Sequence, residues 1–260
     1  MTVMAGLSVG LAIGLVLGLL GGGGAILAVP GLVYILHAEP HAAIAASLAV
    51  VAVGALTGLL MHARGGRVAW LTAFQLGVTG AVGALGGSWL GQQVSGERLL
   101  ALLGLFMLAA AVLMVRRPSG HATPSAIASW KTLLIGLGLG VVTGFFGVGG
   151  GFLIVPALTL LLGLPIRLAV GTSLTVIAMN SSAGLLGYLS GGQVDWPLTF
   201  LVSLGAVAGA VVGGRLAGTV PERSLRRGFA GLVTVVALYL VYRNAAAWTV
   251  AFILPQSMGL

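Results

Sequence analysis

Apolar stretches long enough to cross a bilayer, which takes about 20 residues as a helix, follow one another along this chain with only short polar breaks between them. Of the 260 residues, 58% are hydrophobic and 6% are charged, where a soluble domain spends about 25% on charge. Such a chain cannot cover a water-facing surface, and the pattern predicts an all-α polytopic membrane protein. The opening run MTVMAGLSVGLAIGLVLGLL lacks the basic flank and cleavage site of a signal peptide, so it reads as a retained membrane segment. The formal net charge of +8 sits on basic residues placed singly or in pairs between apolar segments. That placement signals topology to the bilayer and does not make a nucleic-acid surface. The absence of cysteine excludes disulfides, thiolate metal sites and cysteine nucleophiles.

Set against itself at a spacing of 126 residues without gaps, the chain pairs Gly18 with Gly144, Gly21 with Gly147, Gly23 with Gly149, Gly24 with Gly150 and Pro30 with Pro156. Ser47 falls on Ser173, Leu48 on Leu174 and Gly58 on Gly184, and GGRVAW at 65–70 falls on GGQVDW at 191–196. Agreement in Gly, Pro, Ser and Trp over such a length marks an internal duplication. The organisation expected is a first repeat at 1–115, a polar linker at 116–131, a second repeat at 132–243 and a C-terminal tail at 244–260. Each repeat holds a glycine-broken region and then three long apolar segments. These lie at about 42–63, 69–93 and 98–115 in the first and about 168–189, 196–220 and 226–242 in the second, giving eight to ten membrane segments.

Basic residues orient the repeats. Arg64 and Arg67 follow the first long segment of the first repeat, where the second repeat has Asp195. Arg223, Arg226 and Arg227, with Glu222, follow the second long segment of the second repeat, where the first has Glu97 and Arg98. Cytoplasmic loops carry the excess of Lys and Arg, so equivalent loops face opposite sides and the repeats are expected to be inverted. The same rule places the linker, with Arg116, Arg117 and Lys131, in the cytoplasm together with Arg167, and the N-terminus outside. Between Lys131 and Arg167 the chain must leave one face and return to it. Its two arms of about 16 and 15 residues reach roughly 22 to 24 Å each, against a core of ~30 Å. A short re-entrant or bent hairpin with glycine at its turn is expected in each repeat.

Paired, glycine-broken short segments at matching positions of inverted halves point to a transporter's binding site. Where a helix restarts inside a membrane, its first N–H groups lack internal partners and the peptide dipoles place about half a positive charge there. Consecutive glycine N–H groups can also cradle an anion. Helices restarting near Ala25 and Phe152 would aim two such ends at one midplane region, which favours a small oxyanion. The candidate contributors are Gly21, Gly22, Gly23 and Gly24 in the first cluster and Gly147, Gly149, Gly150 and Gly151 in the second. The first long segment adds Ser47 in one repeat and Thr172, Ser173, Asn180 and Ser181 in the other, so the second repeat is expected to build most of the site. Arg215, inside the segment 196–220, is a candidate counter-charge, although it stands near enough to the segment end to reach water. The glycines at 80–87 and 205–214 have the spacing of small-residue contacts between packed helices.

Neither glycine cluster is a nucleotide motif. GVGGGF lacks the third glycine of G-x-G-x-x-G, and no Lys-Ser/Thr follows either cluster. The expected cargo movement is alternating exposure of the midplane site, with an anion channel of the same architecture as the alternative. A membrane-embedded enzyme is disfavoured, because no buried acid pair, Cys or His/Asp constellation is present to run chemistry. HAEPH at 37–41 offers His37, Glu39 and His41, but in a loop broken by proline, and neither a metal nor a cofactor is assigned. The expected partners are a small anionic substrate and the lipid bilayer, with no nucleic acid; a homo-oligomer stays open.

The twice-repeated glycine cluster ending in Val-Pro (Gly21 to Pro30, Gly147 to Pro156), GTSL at 171–174 and the GG.V.W pair resemble the sulfite exporter TauE/SafE family, also called TSUP transporters, over nearly the whole chain. That resemblance implies a permease of the bacterial or archaeal inner membrane for small sulfur-containing anions such as sulfite, organosulfonates or sulfoacetate. The first repeat departs from the pattern with Ala45 and Ala46, where the second has Gly171 and Thr172.

Overall fold

The computed structural model describes residues 2–116, 129–189 and 194–243. The centre of the linker, Gly191 to Gln193 of the second GG.V.W and the tail 244–260 lie outside the described residues. All regular structure among those described is helical. The first repeat runs α1 (Thr2–Leu20), α2 (Gly23–Pro30), α3 (Pro40–Arg64), α4 (Trp70–Gln92) and α5 (Gly96–Arg116). The second runs α6 (Ser129–Phe146), α7 (Gly151–Pro156), α8 (Ile166–Leu189), α9 (Trp196–Leu216) and α10 (Glu222–Arg243). Adding 126 to the first residues of α3, α4 and α5 lands on the first residues of α8, α9 and α10.

The helix ends follow from the residues there. Glu39 caps α3 by accepting from the N–H groups of His41 (3.0 Å) and Ala42 (3.1 Å), with Pro40 in the first turn. Asp195 caps α9 in the same manner, accepting from Leu198 N–H at 3.1 Å, with Pro197 in the first turn. One boundary differs from the expected segments: α9 stops at Leu216 and α10 begins at Glu222. The stretch AGTVPE between them holds a glycine and a proline, which end one helix and start the next earlier than apolar character alone indicates.

Both short helices end in a proline and run on into a wider turn. Over Gly31–Ile35 and Ala157–Leu161 the bonding shifts to an i to i+5 pattern, closed by Leu36 N–H to Gly31 O and Leu162 N–H to Ala157 O, each 3.2 Å. Proline supplies no N–H and crowds the carbonyl four residues back, so the regular ladder is disturbed at this point. The arms then turn sharply at His37 (φ +56°) and, 126 residues on, at Gly163 (φ +66°).

Helices pack across the repeats more than within them. In α1, Gly10, Gly14 and Gly18 lie against the backbone of Val202, Ala206 and Ala210 of α9. Their equivalents in α6, Gly136, Gly140 and Gly144, lie against Leu76, Gly80 and Ala84 of α4. A Cβ at any of the six would run into backbone, so small residues every fourth place let these helices meet along their whole length. Residue numbers rise together in both pairs, so each pair is parallel. At the centre, α3 and α8 cross with Leu174 over Gly58 and Leu48 over Gly184, an antiparallel arrangement of two repeat-equivalent helices.

Length and hydropathy suffice for a membrane crossing in Val3–Leu20, Pro40–Arg64, Ile166–Leu189 and Trp196–Leu216. Of these, α3 and α8 are the most buried, and the remaining helices surround them. Leu71, Phe74, Val82, Leu186, Phe200 and Leu204 are exposed, as side chains facing lipid are. Exposed Trp70 and Trp130 stand near one face, Trp89 and Trp196 near the other, where amphipathic rings favour the membrane interface.

The helix directions sort the charges. Arg64, Arg67, Arg116, Lys131, Arg167, Arg215, Arg223, Arg226 and Arg227 belong to helix ends and loops on one face, where a Cβ on Gly218 would sit 3.1 Å from the Arg67 guanidinium. On the other face are Arg98 and Arg243, with Glu39, Glu97 and Asp195.

Candidate functional site

The two hairpins, α1 with α2 and α6 with α7, end in glycine tips that meet at the centre of the molecule. Gly22 backs onto Gly151 closely enough that a Cβ on either would overlap the other's backbone. Gly21 turns with φ +75°, and Gly147, Gly149 and Gly150 turn with φ +65°, +66° and +64°, the left-handed region in which a side chain is strained. Neither α2 nor α7 has a side-chain hydrogen bond at its N-terminal cap, so the leading N–H groups at the tips have no side-chain partner.

Each tip is seated on the long central helix of the opposite repeat. A Cβ on Gly21 would lie 2.7 Å from Ser173 Oγ and 2.9 Å from Val170 Cα of α8. The equivalent glycine, Gly147, lies against Ile44 of α3, and the Ser47 hydroxyl hydrogen-bonds to its carbonyl. On α8 the residues Val170, Ser173, Ile177 and Ser181 recur at helical spacing and so share one face. Ile177 touches Gly151, and Ser181 Oγ lies 3.0 Å from where a Cβ on Gly149 would stand.

The serines differ in what they have to give. Ser173 donates to Val170 O at 2.8 Å, and Ser47 reaches Ile44 O at 2.8 Å besides Gly147 O, so both hydroxyl protons have protein acceptors. Ser181 Oγ and both polar atoms of Asn180 have no partner, although both residues have 0% exposure. A buried polar group left unpaired costs about 1–3 kcal/mol, which marks these two side chains as groups awaiting one. Asn180 is turned toward Gly80 of α4, where a Cβ would come within 2.6 Å of its Nδ2.

The other sequence candidates fall elsewhere. Gly23 faces Val16, Leu20 and Leu232, and Gly24 faces Ile13 and Leu17, so these two let α2 fold back on α1. Gly150 packs on Thr143, whose hydroxyl donates to Leu139 O at 2.8 Å. Thr172 Oγ1 accepts from Ala69 N–H at 2.9 Å and ties the loop after α3 to the start of α8. Arg215 is exposed in the last turn of α9, away from the tips. In HAEPH, Glu39 serves as a helix cap and His41 Nε2 lies 3.0 Å from Val94 O. Among the described residues no three His, Cys, Asp or Glu side chains cluster to hold a metal.

Sequence reading did not single out Thr143 or the buried pair His62 and Tyr188. His62 Nδ1 lies 3.0 Å from Gly58 O and Tyr188 donates to Phe145 O at 3.3 Å. These two stand 126 residues apart, so the repeat itself was the signal that could have linked them.

A family model described as sulfite exporter TauE/SafE matches residues 6–240. A probable membrane transporter protein of Xylella fastidiosa is 36% identical over 237 residues, covering 88% of this chain and 90% of that protein. The probable membrane transporter protein YdhB of Bacillus subtilis is 29% identical over 229 residues, covering 86% and 94%. YfcA of Escherichia coli, also named a probable membrane transporter protein, is 24% identical over 233 residues, covering 86% and 84%. No solved structure matches the chain.

Proposed function

Because this chain belongs to the sulfite exporter TauE/SafE family, we propose that it carries small oxyanions, sulfur-containing ones first among them, through a site between the two glycine tips. The observation that carries this reading is the meeting of uncapped helix starts at Gly22 and Gly151 beside the unpartnered hydroxyl of Ser181. An oxyanion there would accept from Ser181 and from backbone N–H groups of the tips, with the Asn180 amide turned toward α4. Gly21, Gly22, Gly147, Gly149 and Gly151 shape the turns, and Ser47 and Ser173 seat them. Thr172 acts on the loop after α3, and Arg215 takes no part at the tips.

Alternating access fits this arrangement. The central polar residues are fully buried, so the described state is closed to both faces. Opposed directions in α3 and α8 support inverted halves, 1–115 and 132–243, joined by a cytoplasmic linker. Exchange of conformation between such halves opens one side and closes the other. The arginine-rich face is the cytoplasmic one, in a multi-pass protein of the inner membrane.

Purified protein in proteoliposomes should move radiolabelled sulfite or a sulfonate with saturation, and without single-channel currents. Absence of flux for every oxyanion tried would overturn the reading.

A further inference from the structure

The tips are neutral, and this limits the charge of what they can hold. No Asp, Glu, Lys or Arg occurs from Met1 to Ala38, from Thr132 to Ile166 or from Leu168 to Val194, so both hairpins, apart from Lys131 in the first turn of α6 at the end far from the tip, and nearly all of α8 lack charged side chains. Between Pro40 and Ala63 on α3 there is likewise no such residue. His62 stands at the end of α3 beside Gly171, away from the tips, and Arg215 is exposed. What remains for an anion is partial charge: the uncapped start of α2, the N–H groups of the Gly149 to Gly151 turn, and the fully buried, unpartnered Ser181 Oγ aimed at Gly149.

Resting on the oxyanion reading above, we propose that this site selects anions carrying one net charge. The cost of removing an ion from water grows with the square of its charge, whereas attraction to fixed dipoles and hydrogen-bond donors grows only in proportion to it. Each added negative charge therefore shifts the balance against binding where no cation stands beside it, and among the described residues none does at the tips. The substrate class is a monoanionic oxyanion, such as a sulfonate or hydrogen sulfite, in preference to sulfate or another doubly charged species of similar shape.

Methanesulfonate and sulfate separate these cases, being alike in geometry and different in charge. Thermal unfolding of the detergent-solubilised protein is followed against each anion at matched ionic strength. Ser181→Ala serves to subtract the general stabilisation that excluded salts give any folded protein. Saturable stabilisation by methanesulfonate, with apparent affinity at least about tenfold above that for sulfate, is the expected result. Sulfate binding as tightly as methanesulfonate, or more tightly, would overturn the charge selection while leaving the oxyanion site standing. Saturable stabilisation by neither anion, nor by sulfite, would overturn the oxyanion site and the selection with it.

Discussion

Ser181 and Asn180, like Thr175 on the same helix, differ from Thr172 and Ser173 because their buried side chains have no acceptor or donor in the folded chain. The first-repeat equivalents of Ser181 and Asn180 are Ala55 and Gly54, so the polarity belongs to one half only. Removing an unpaired buried hydroxyl should leave the unliganded protein as stable as before or about 1 kcal/mol more so; Ser181→Ala is expected to keep or raise the thermal midpoint. Glu39 behaves oppositely. Its carboxylate caps α3, and Glu39→Ala should cost about 1 kcal/mol, read as a lower midpoint in the same assay. The cluster Thr172, Ser173, Asn180 and Ser181 was visible as polar residues in an apolar helix. Their separate duties were not, because only three-dimensional packing decides which hydroxyl already has a partner.

At the scale of elements, the offset of 126 residues accounts for the starts of the three long helices of each repeat, since duplicated sequence repeats its prolines and glycines together. The fourfold glycine spacing in α1 and α6 was also present in the sequence, but its partner helices were not, because the contacts join one repeat to the other. Two glycines of α6 distinguish contact from composition. Gly140 has the carbonyl of Gly80 where a Cβ would go, whereas Gly138 has nothing within 4 Å. Gly140→Ala should destabilise by roughly 2 kcal/mol or more through helix displacement. Gly138→Ala should be neutral or gain up to about 1 kcal/mol in helix propensity, and thermal unfolding of the two variants checks the contrast. The wide turns after Pro30 and Pro156 were not legible, since a proline announces a disturbed ladder without specifying how the next bonds re-form.

For the whole molecule, arginine placement predicts inverted halves, and the antiparallel crossing of α3 and α8 fits that expectation. The chain contains no cysteine, so single cysteines report on topology without background. Ser95→Cys and Thr219→Cys sit in repeat-equivalent loops on opposite faces. An impermeant thiol reagent should label the first in intact cells and the second only after permeabilisation. Function rests on whether the buried centre between the tips binds the travelling anion, and flux through Ser181→Ala reads this most directly. Radiolabelled sulfite or sulfonate flux in proteoliposomes should fall at least about tenfold, as loss of a hydrogen bond to a charged ligand requires, while the thermal midpoint does not drop. Flux equal to that of the wild-type protein would contradict a substrate site at the tips.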